Sequence, residues 1–243
     1  MTSTAPEAGS TPAPKNLLAR FVGIIVAPKD TYASVVVSPK WFGVLAVCAV
    51  AMALMVGGYL LTPIGQNAWL AQVVDSRAAM GRPMEPQQVQ GMERIAPYVG
   101  YFAALQFLVF MPLVSLAIAG ILFAVFNAAL GGNATFKQVF SVVAHAGPVG
   151  VLSQAFAMPI NYMRGTLTGV ANLGVLFPML DERSFLSHFL GMVDLFLVWQ
   201  LVVLAMGFAV LYRRRTQPIA FSFLSVYAVI ALGFALWMSR GGA

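Results

Sequence analysis

The fold of this chain is decided by residues 95–136, which read IAPYVGYFAALQFLVFMPLVSLAIAGILFAVFNAALGGNATF and carry no charged side chain. A helix that crosses a bilayer needs about 20 apolar residues to span a hydrocarbon core of about 30 Å. Residues 101–130 could form about 45 Å of helix, so we expect this helix to tilt, kink or project beyond the bilayer. Pro112 offers a kink point, and the pair Gly131 and Gly132 predicts where the helix stops.

The rest of the chain has a similarly apolar composition. Of its 243 residues, 60% are hydrophobic and 9% are charged, whereas a soluble domain has about 25% charged residues. Such a chain cannot cover a globular surface with polar groups, so we place it in a bilayer. Cys48 is the single cysteine, which excludes an intrachain disulfide and any zinc site built from several cysteines.

Five segments are predicted to cross the membrane. They are residues 41–61, 98–130, 140–160, 186–211 and 218–238. Their apolar runs are continuous, whereas the strands of a membrane barrel alternate apolar and polar residues over about 10 positions. The sequence therefore predicts an all-α integral membrane protein, built as a bundle of five transmembrane helices.

The segments outside these spans are also informative. Residues 1–14 are mostly Ser, Thr, Pro, Ala and Gly, a composition that predicts a disordered tail before a membrane domain over residues 15–240. Residues 16–26 are apolar, flanked by cations and too short to cross, so we predict a short N-terminal interfacial helix that ends at Pro28. An ordinary amphipathic segment without a regulatory role is the simpler interpretation. Residues 66–79 predict a helix on the outer membrane surface or packed on the bundle.

The basic residues predict the orientation of the bundle. Arg213, Arg214 and Arg215 lie together in the tight turn between the fourth and fifth predicted spans. Because Lys and Arg are enriched in cytoplasmic loops, we predict a cytoplasmic N-terminus and an outside C-terminus. This topological role also explains the net charge of +6, so we expect no nucleic-acid partner. Binding of anionic lipid headgroups is the alternative role of these three arginines.

Motifs of soluble catalysis are missing from the sequence. There is no Gly-rich phosphate loop followed by Lys and Ser/Thr, no His-Glu-x-x-His pair, no Gly-x-Ser-x-Gly elbow and no Ser-x-x-Lys pair. Two histidines and eight acidic residues also leave little material for a metal cluster. We therefore predict a protein that is not an enzyme, with no catalytic, cofactor-binding or metal-ligating residues and no cofactor.

Polar groups within the apolar runs are the candidates for function, because an ionised side chain in hydrocarbon is costly. His145 could relay protons, or it could be a neutral side chain hydrogen-bonded to a neighbouring helix or a carbonyl. Gly147 and Pro148 directly follow it and predict a break in the third span. Asp194 lies near the outer boundary of the fourth span, and we estimate a gap near 15 Å between it and His145, so a direct pair is not expected.

Three glutamines also fall within predicted spans. They are Gln106, Gln154 and Gln200. Uncharged amides of this kind form hydrogen bonds between transmembrane helices, typically worth about 0.6 to 2 kcal/mol. We interpret them as residues that hold the bundle together.

Two stretches resemble a known family. The first is FVGIIVAPKDTY at residues 21–32, and the second is LGGNATFKQVFSVVAHAGP at residues 130–148, with its Gly-Gly turn, Phe-Lys-Gln and a span with a central proline. They resemble the bacterial branch of the Yip-domain family, which is named for Ypt/Rab-interacting proteins. The resemblance implies a five-span membrane protein with a cytoplasmic N-terminus. Eukaryotic relatives are linked to vesicle traffic, membrane shaping and Rab GTPases, and the resemblance supplies no catalytic residues.

Two functions are consistent with these observations. The first is a non-enzymatic scaffold or partner subunit of the bacterial inner membrane, acting in membrane organisation or trafficking-like processes. Its partners would be the lipid bilayer and either a second copy or another membrane protein. The alternative is a small carrier or permease component for a lipid or apolar solute, which would use His145 and the broken third span.

Overall fold

A computed structural model of the protein describes residues 16–181 and 184–241. Within these residues the chain is helical, and the one β-type pairing is an isolated bridge between Asn172 and Asp194. Five of the helices are long and apolar enough to cross a membrane, as predicted. The tail predicted for residues 1–14 lies outside the described residues.

The helices follow one another along the chain in the following order. Before the spans come α1 (Leu17–Val26) and α2 (Pro28–Val37). The first span is α3 (Phe42–Leu60), followed by α4 (Pro63–Ala79) and the second span α5 (Pro86–Ala129). The third span consists of α6 (Phe136–His145) and α7 (Gly147–Arg164). The chain ends with α8 (Phe185–Met192), the fourth span α9 (Leu195–Tyr212) and the fifth span α10 (Thr216–Gly241).

The second span projects from the bundle. It has 44 residues, which is about 66 Å of helix and twice the thickness of a hydrocarbon core of about 30 Å. It starts twelve residues before the predicted boundary, because Glu85 and Gln88 form a capping box at Pro86. It ends just before Gly131, whose φ of +69° belongs to the left-handed region that glycine tolerates. The predicted stop at the glycine pair is therefore confirmed.

The third span is broken where the sequence predicted. Helix α6 ends at His145, Ala146 follows, and α7 begins at Gly147 with Pro148 in its first turn. Proline fits this first turn because the amide that it lacks has no partner there. The two halves of the span therefore meet at a defined joint rather than forming one continuous helix.

The prediction that residues 186–211 form a single fourth helix is wrong. The structure contains the short helix α8 and a separate span α9, which begins at Leu195. Asp194 separates them, because its carboxylate accepts a hydrogen bond from the main-chain N–H of Leu197 at 2.9 Å. An N-cap of this kind starts a new helix.

The N-terminal segment contains two helices where the sequence predicted one. Helix α1 lies at the predicted position and ends before Pro28, but α2 follows at once and the pair packs against the bundle. Helix α1 buries Arg20 and leaves apolar side chains outside, at Leu18, Val22 and Val26. The buried face of α1 contains Gly23 and Ile24 besides Arg20, and the apolar outer face suits contact with lipid rather than with water.

Candidate functional site

The N-terminal hairpin, defined as α1 and α2, is held together by polar contacts. The Arg20 guanidinium, with 3% of its surface exposed, donates from Nη1 to the carbonyl oxygen of Ser38 at 3.2 Å. Within α2, Ser34 donates from its hydroxyl to the carbonyl of Thr31 at 2.8 Å, so this buried group has a partner in its own helix. A side chain at Gly23 would collide with the Thr31 hydroxyl, so glycine lets the two helices approach closely. Burial lowers the pKa of Arg20 below its ordinary value.

Tyr32 fixes the N-terminal hairpin to the third and fourth spans. Its ring is fully buried, and its hydroxyl donates to the carbonyl oxygen of Val142 at 3.4 Å. The ring lies against Gly207, where an added Cβ would come within 2.8 Å of it. Burial raises the pKa of Tyr32 above its ordinary value of 10.0, so the phenol stays neutral and keeps its donor hydrogen.

A second hydrogen bond shows in which direction α2 runs. Gln138 donates from Nε2 to the carbonyl oxygen of Val36 at 3.2 Å, one helical turn before the contact of Val142 with Tyr32. Moving back along α2 from Val36 to Tyr32 therefore corresponds to moving forward along α6 from Gln138 to Val142. Helix α2 thus runs antiparallel to α6. The turn between α1 and α2 consequently points toward the joint of the third span, and α1 contacts α7 beyond that joint.

His145 lies in the packed interior at this joint. It has no exposed surface, and its Nδ1 lies 2.7 Å from the carbonyl oxygen of Ser141. Because a carbonyl can only accept, Nδ1 carries the proton and Nε2 carries a lone pair. Among the described residues, neither Nε2 nor the Ser141 hydroxyl has a hydrogen-bond partner. Arg20 of the N-terminal hairpin acts on His145 electrostatically.

Gly147 and Pro148 shape the joint. An added Cβ at Gly147 would lie 3.0 Å from the sulfur of Cys48 and 3.7 Å from the terminal methyl of Met111. The absence of a side chain at Gly147 therefore brings the first three spans together. Pro148 is itself fully buried. These two residues have a packing role that their positions after His145 did not reveal.

Asp194 has a separate role, at the end of the bundle where α9 begins. Besides capping α9, its main-chain N–H donates to the hydroxyl of Tyr227 at 3.1 Å, and that hydroxyl in turn donates to the carbonyl of Met192. These partners belong to α8, α9 and α10, whereas His145 bonds within α6. The structure does not bring Asp194 and His145 together into one site.

Basic side chains collect at the opposite end of the bundle. Five exposed residues lie where α3 and α6 begin and α9 ends: Lys40, Lys137, Arg213, Arg214 and Arg215. We call this region the basic end. Arg213 adopts a left-handed conformation with φ of 53° and lets the chain reverse tightly between α9 and α10.

The three glutamines occupy two different environments. Gln154 and Gln200 are half-buried within the bundle, and Gln200 approaches Gly150 of the third span. The side chain of Gln106 is instead exposed on α5. Two of the three amides therefore lie where they can join helices of this chain, and the third points away from them.

The described residues contain no group of three or more His, Cys, Asp or Glu that could hold a metal ion. A comparison with protein families matches residues 22–238 to the Yip1 domain. The chain belongs to the Yip1 domain family. Searches of curated proteins and of solved structures each return no significant match to this Yip1 domain protein. The family match begins within α1 of the N-terminal hairpin and ends within the fifth span.

Sequence reasoning missed the residues that fix the hairpin of this Yip1 domain protein. Tyr32 lies in a stretch that carries the family resemblance, but no local pattern predicted that it or Arg20 is buried. The sequence did contain one signal, which is helical spacing. Thr31, Tyr32, Ser34 and Val35 lie on one face of a helix, and all four are buried. Each of their hydroxyls donates to a main-chain carbonyl: Thr31 to Ala27, Tyr32 to Val142 and Ser34 to Thr31.

Proposed function

We propose that this Yip1 domain protein is a non-enzymatic, multi-pass protein of a bacterial inner membrane. It acts as a scaffold or partner subunit in membrane organisation or trafficking-like processes, through contacts between helices. The observation that carries the proposal is the exposed amide of Gln106 on the second span. A glutamine that faces hydrocarbon is under-satisfied, and it gains a hydrogen bond when another transmembrane helix covers it.

The second span is suited to such a contact because little of it is covered by the rest of the chain. In the most apolar 18-residue stretch of the second span 6% of the residues are buried, compared with 61% in the corresponding stretch of the third span. Gln106 lies twelve residues after Arg94, which corresponds to about 18 Å of helix. The amide is therefore well inside the apolar part of the helix, not at its charged end.

The occupant that best fits this face is a second copy of the same chain. An amide has both donor hydrogens and an acceptor oxygen. In a two-fold symmetric pair, Gln106 of one protomer can donate to Gln106 of its partner and accept from it at the same time. Phe102 and Val109 are exposed one turn to either side of Gln106, and they supply apolar contact around this pair.

Cysteine crosslinking in native membranes tests the proposed pairing. We expect Phe102→Cys and Val109→Cys to form disulfide-linked dimers, and Gln106→Leu to reduce each dimer yield by about threefold to twentyfold. This range corresponds to the roughly 0.6 to 1.7 kcal/mol measured for such bonds. Native Cys48 gives little background, because it is buried.

A control variant separates pairing from random collision. Ile230→Cys places a thiol on an exposed position of the fifth span and is expected to remain monomeric. Equal crosslinking at Ile230→Cys and Phe102→Cys, or a yield that Gln106→Leu leaves unchanged, would contradict pairing through α5. Capture of a different membrane protein by Phe102→Cys would also contradict self-association.

The orientation of the protein is part of the proposal. The basic end carries Arg213, Arg214 and Arg215 in one short turn, which supports a cytoplasmic position for that end and an outside position for the C-terminus. A reporter that is active only outside the cytoplasm, fused after Ala243, should therefore be active. The same reporter inserted after Arg214 should be inactive, and activity there would reverse the assignment.

The packing of His145 favours the scaffold over the alternative of a lipid or solute carrier. A carrier of the predicted kind needs this histidine to meet a substrate or water. His145 has no exposed surface and its Nδ1 is bonded to its own helix. Its surroundings therefore support a role in closing the joint of the third span.

A further inference from the structure

Three spans form a groove at the basic end of the bundle. Its volume is about 400 Å³, within the range of about 300 to 1,000 Å³ that is typical of ligand pockets. Its apolar walls are formed by Trp41 directly before α3, Leu113 and Leu116 of α5, and Phe140 of α6. Lys137 is the one charged residue among the described residues that line it, so the groove combines a long apolar surface with a single cation.

The cation lies at one end of the groove, where α6 begins. Lys137 belongs to the first turn of α6 and is exposed. The hydroxyl of Thr135 accepts from the main-chain N–H of Gln138 at 3.3 Å and so caps that amide. The main-chain N–H groups of Phe136 and Lys137 precede it in the same turn, and such first-turn amides have no partner within the helix. They add partial positive charge beside the ammonium group.

Other basic residues lie near the charged end of the groove. Lys40 is exposed and directly precedes Trp41 of the groove wall. Of Lys40 and Lys137, only Lys137 lines the groove. Arg213, Arg214 and Arg215 lie at the same end of the bundle but do not line this groove.

We propose that the groove binds an anionic glycerophospholipid from the leaflet at the basic end. One acyl chain lies against Trp41, Leu113 and Phe140, and the phosphate lies against Lys137 and the first-turn amides of α6. A zwitterionic lipid of the same chain length fits the apolar walls equally well, but its own ammonium group offsets the attraction to Lys137. Selection therefore depends on the net charge of the headgroup.

Quenching of tryptophan fluorescence by brominated lipids tests the site directly, because Trp41 lies in its wall. Replacing Trp69, Trp199 and Trp237 by phenylalanine leaves Trp41 as the sole tryptophan. In this protein, phosphatidylglycerol with brominated chains is expected to bind about fivefold more tightly than brominated phosphatidylcholine, the ratio expected for one lysine near a membrane surface. Lys137→Gln should bring the ratio close to one, and Lys137→Arg should restore it.

Matched variants and a soluble competitor separate the groove from general surface charge. Arg214→Gln removes one exposed cation of the same end and should leave the ratio unchanged. Excess glycerol phosphate should displace little lipid, because it has no acyl chain. Equal quenching by the two lipids, a ratio that Lys137→Gln does not change, or a ratio lost in Arg214→Gln would each overturn the proposal. So would full displacement by glycerol phosphate.

Discussion

Replacing Gly207 by valine is expected to destabilise the bundle by about 1–3 kcal/mol, the usual cost of overpacking a filled interior. Even a single added Cβ would lie 2.6 Å from a methyl of Val142 and 2.8 Å from the ring of Tyr32. These neighbours belong to the third span and the N-terminal hairpin, and both are fully buried. Neither can move without separating helices. Reversible unfolding in mixed micelles, followed by circular dichroism, measures the loss.

A glycine in the adjacent span provides the control for this substitution. Gly233 lies in α10, and a Cβ added there meets nothing within 4 Å. Gly233→Val therefore changes helix propensity in the same way as Gly207→Val, but it adds no collision. Equal losses of unfolding free energy for the two variants would show that the close approach at Gly207 does not limit packing.

The spans were predictable because hydrophobic length alone decides whether a helix crosses a bilayer. Residues 95–136 contain no charge, and the rules for proline and glycine placed the joint at Gly147 and the stop at Gly131. These features depend on residues close together in the chain. The break before α9 was missed because it depends on Asp194 acting as a helix cap. Hydropathy does not distinguish an aspartate that caps a new helix from one near the boundary of a longer span.

The N-terminal hairpin was not predictable by the same means. The hydroxyl of Tyr32 and its acceptor, the Val142 carbonyl, are 110 positions apart in the chain. No local pattern announces a contact of that separation, because it depends on how the third and fourth spans come together. The exposure of Gln106 has the same origin: a glutamine in an apolar run shows its depth, but which face it occupies depends on the neighbours of α5.

Replacing Tyr32 by alanine is expected to release the N-terminal hairpin from the bundle. Removing a fully buried aromatic side chain costs about 3–5 kcal/mol, and this one also supplies the hydrogen bond to Val142. Ser34→Cys provides a reporter, because Ser34 is 2% exposed and cysteine is close to serine in shape. Its labelling by a soluble maleimide should be slow in the parent protein and faster by an order of magnitude or more in the Tyr32→Ala background.

Phenylalanine at position 32 distinguishes the contribution of the ring from that of the hydroxyl. Tyr32→Phe keeps the contact with Gly207 and loses only the bond to the Val142 carbonyl, which is worth about 0.5–1.5 kcal/mol. Labelling of Ser34→Cys should therefore rise only slightly in this background. If Tyr32→Phe and Tyr32→Ala accelerate labelling equally, the hydroxyl and not the ring holds the hairpin. If neither does, Arg20 and the contacts of α1 are sufficient to keep it in place.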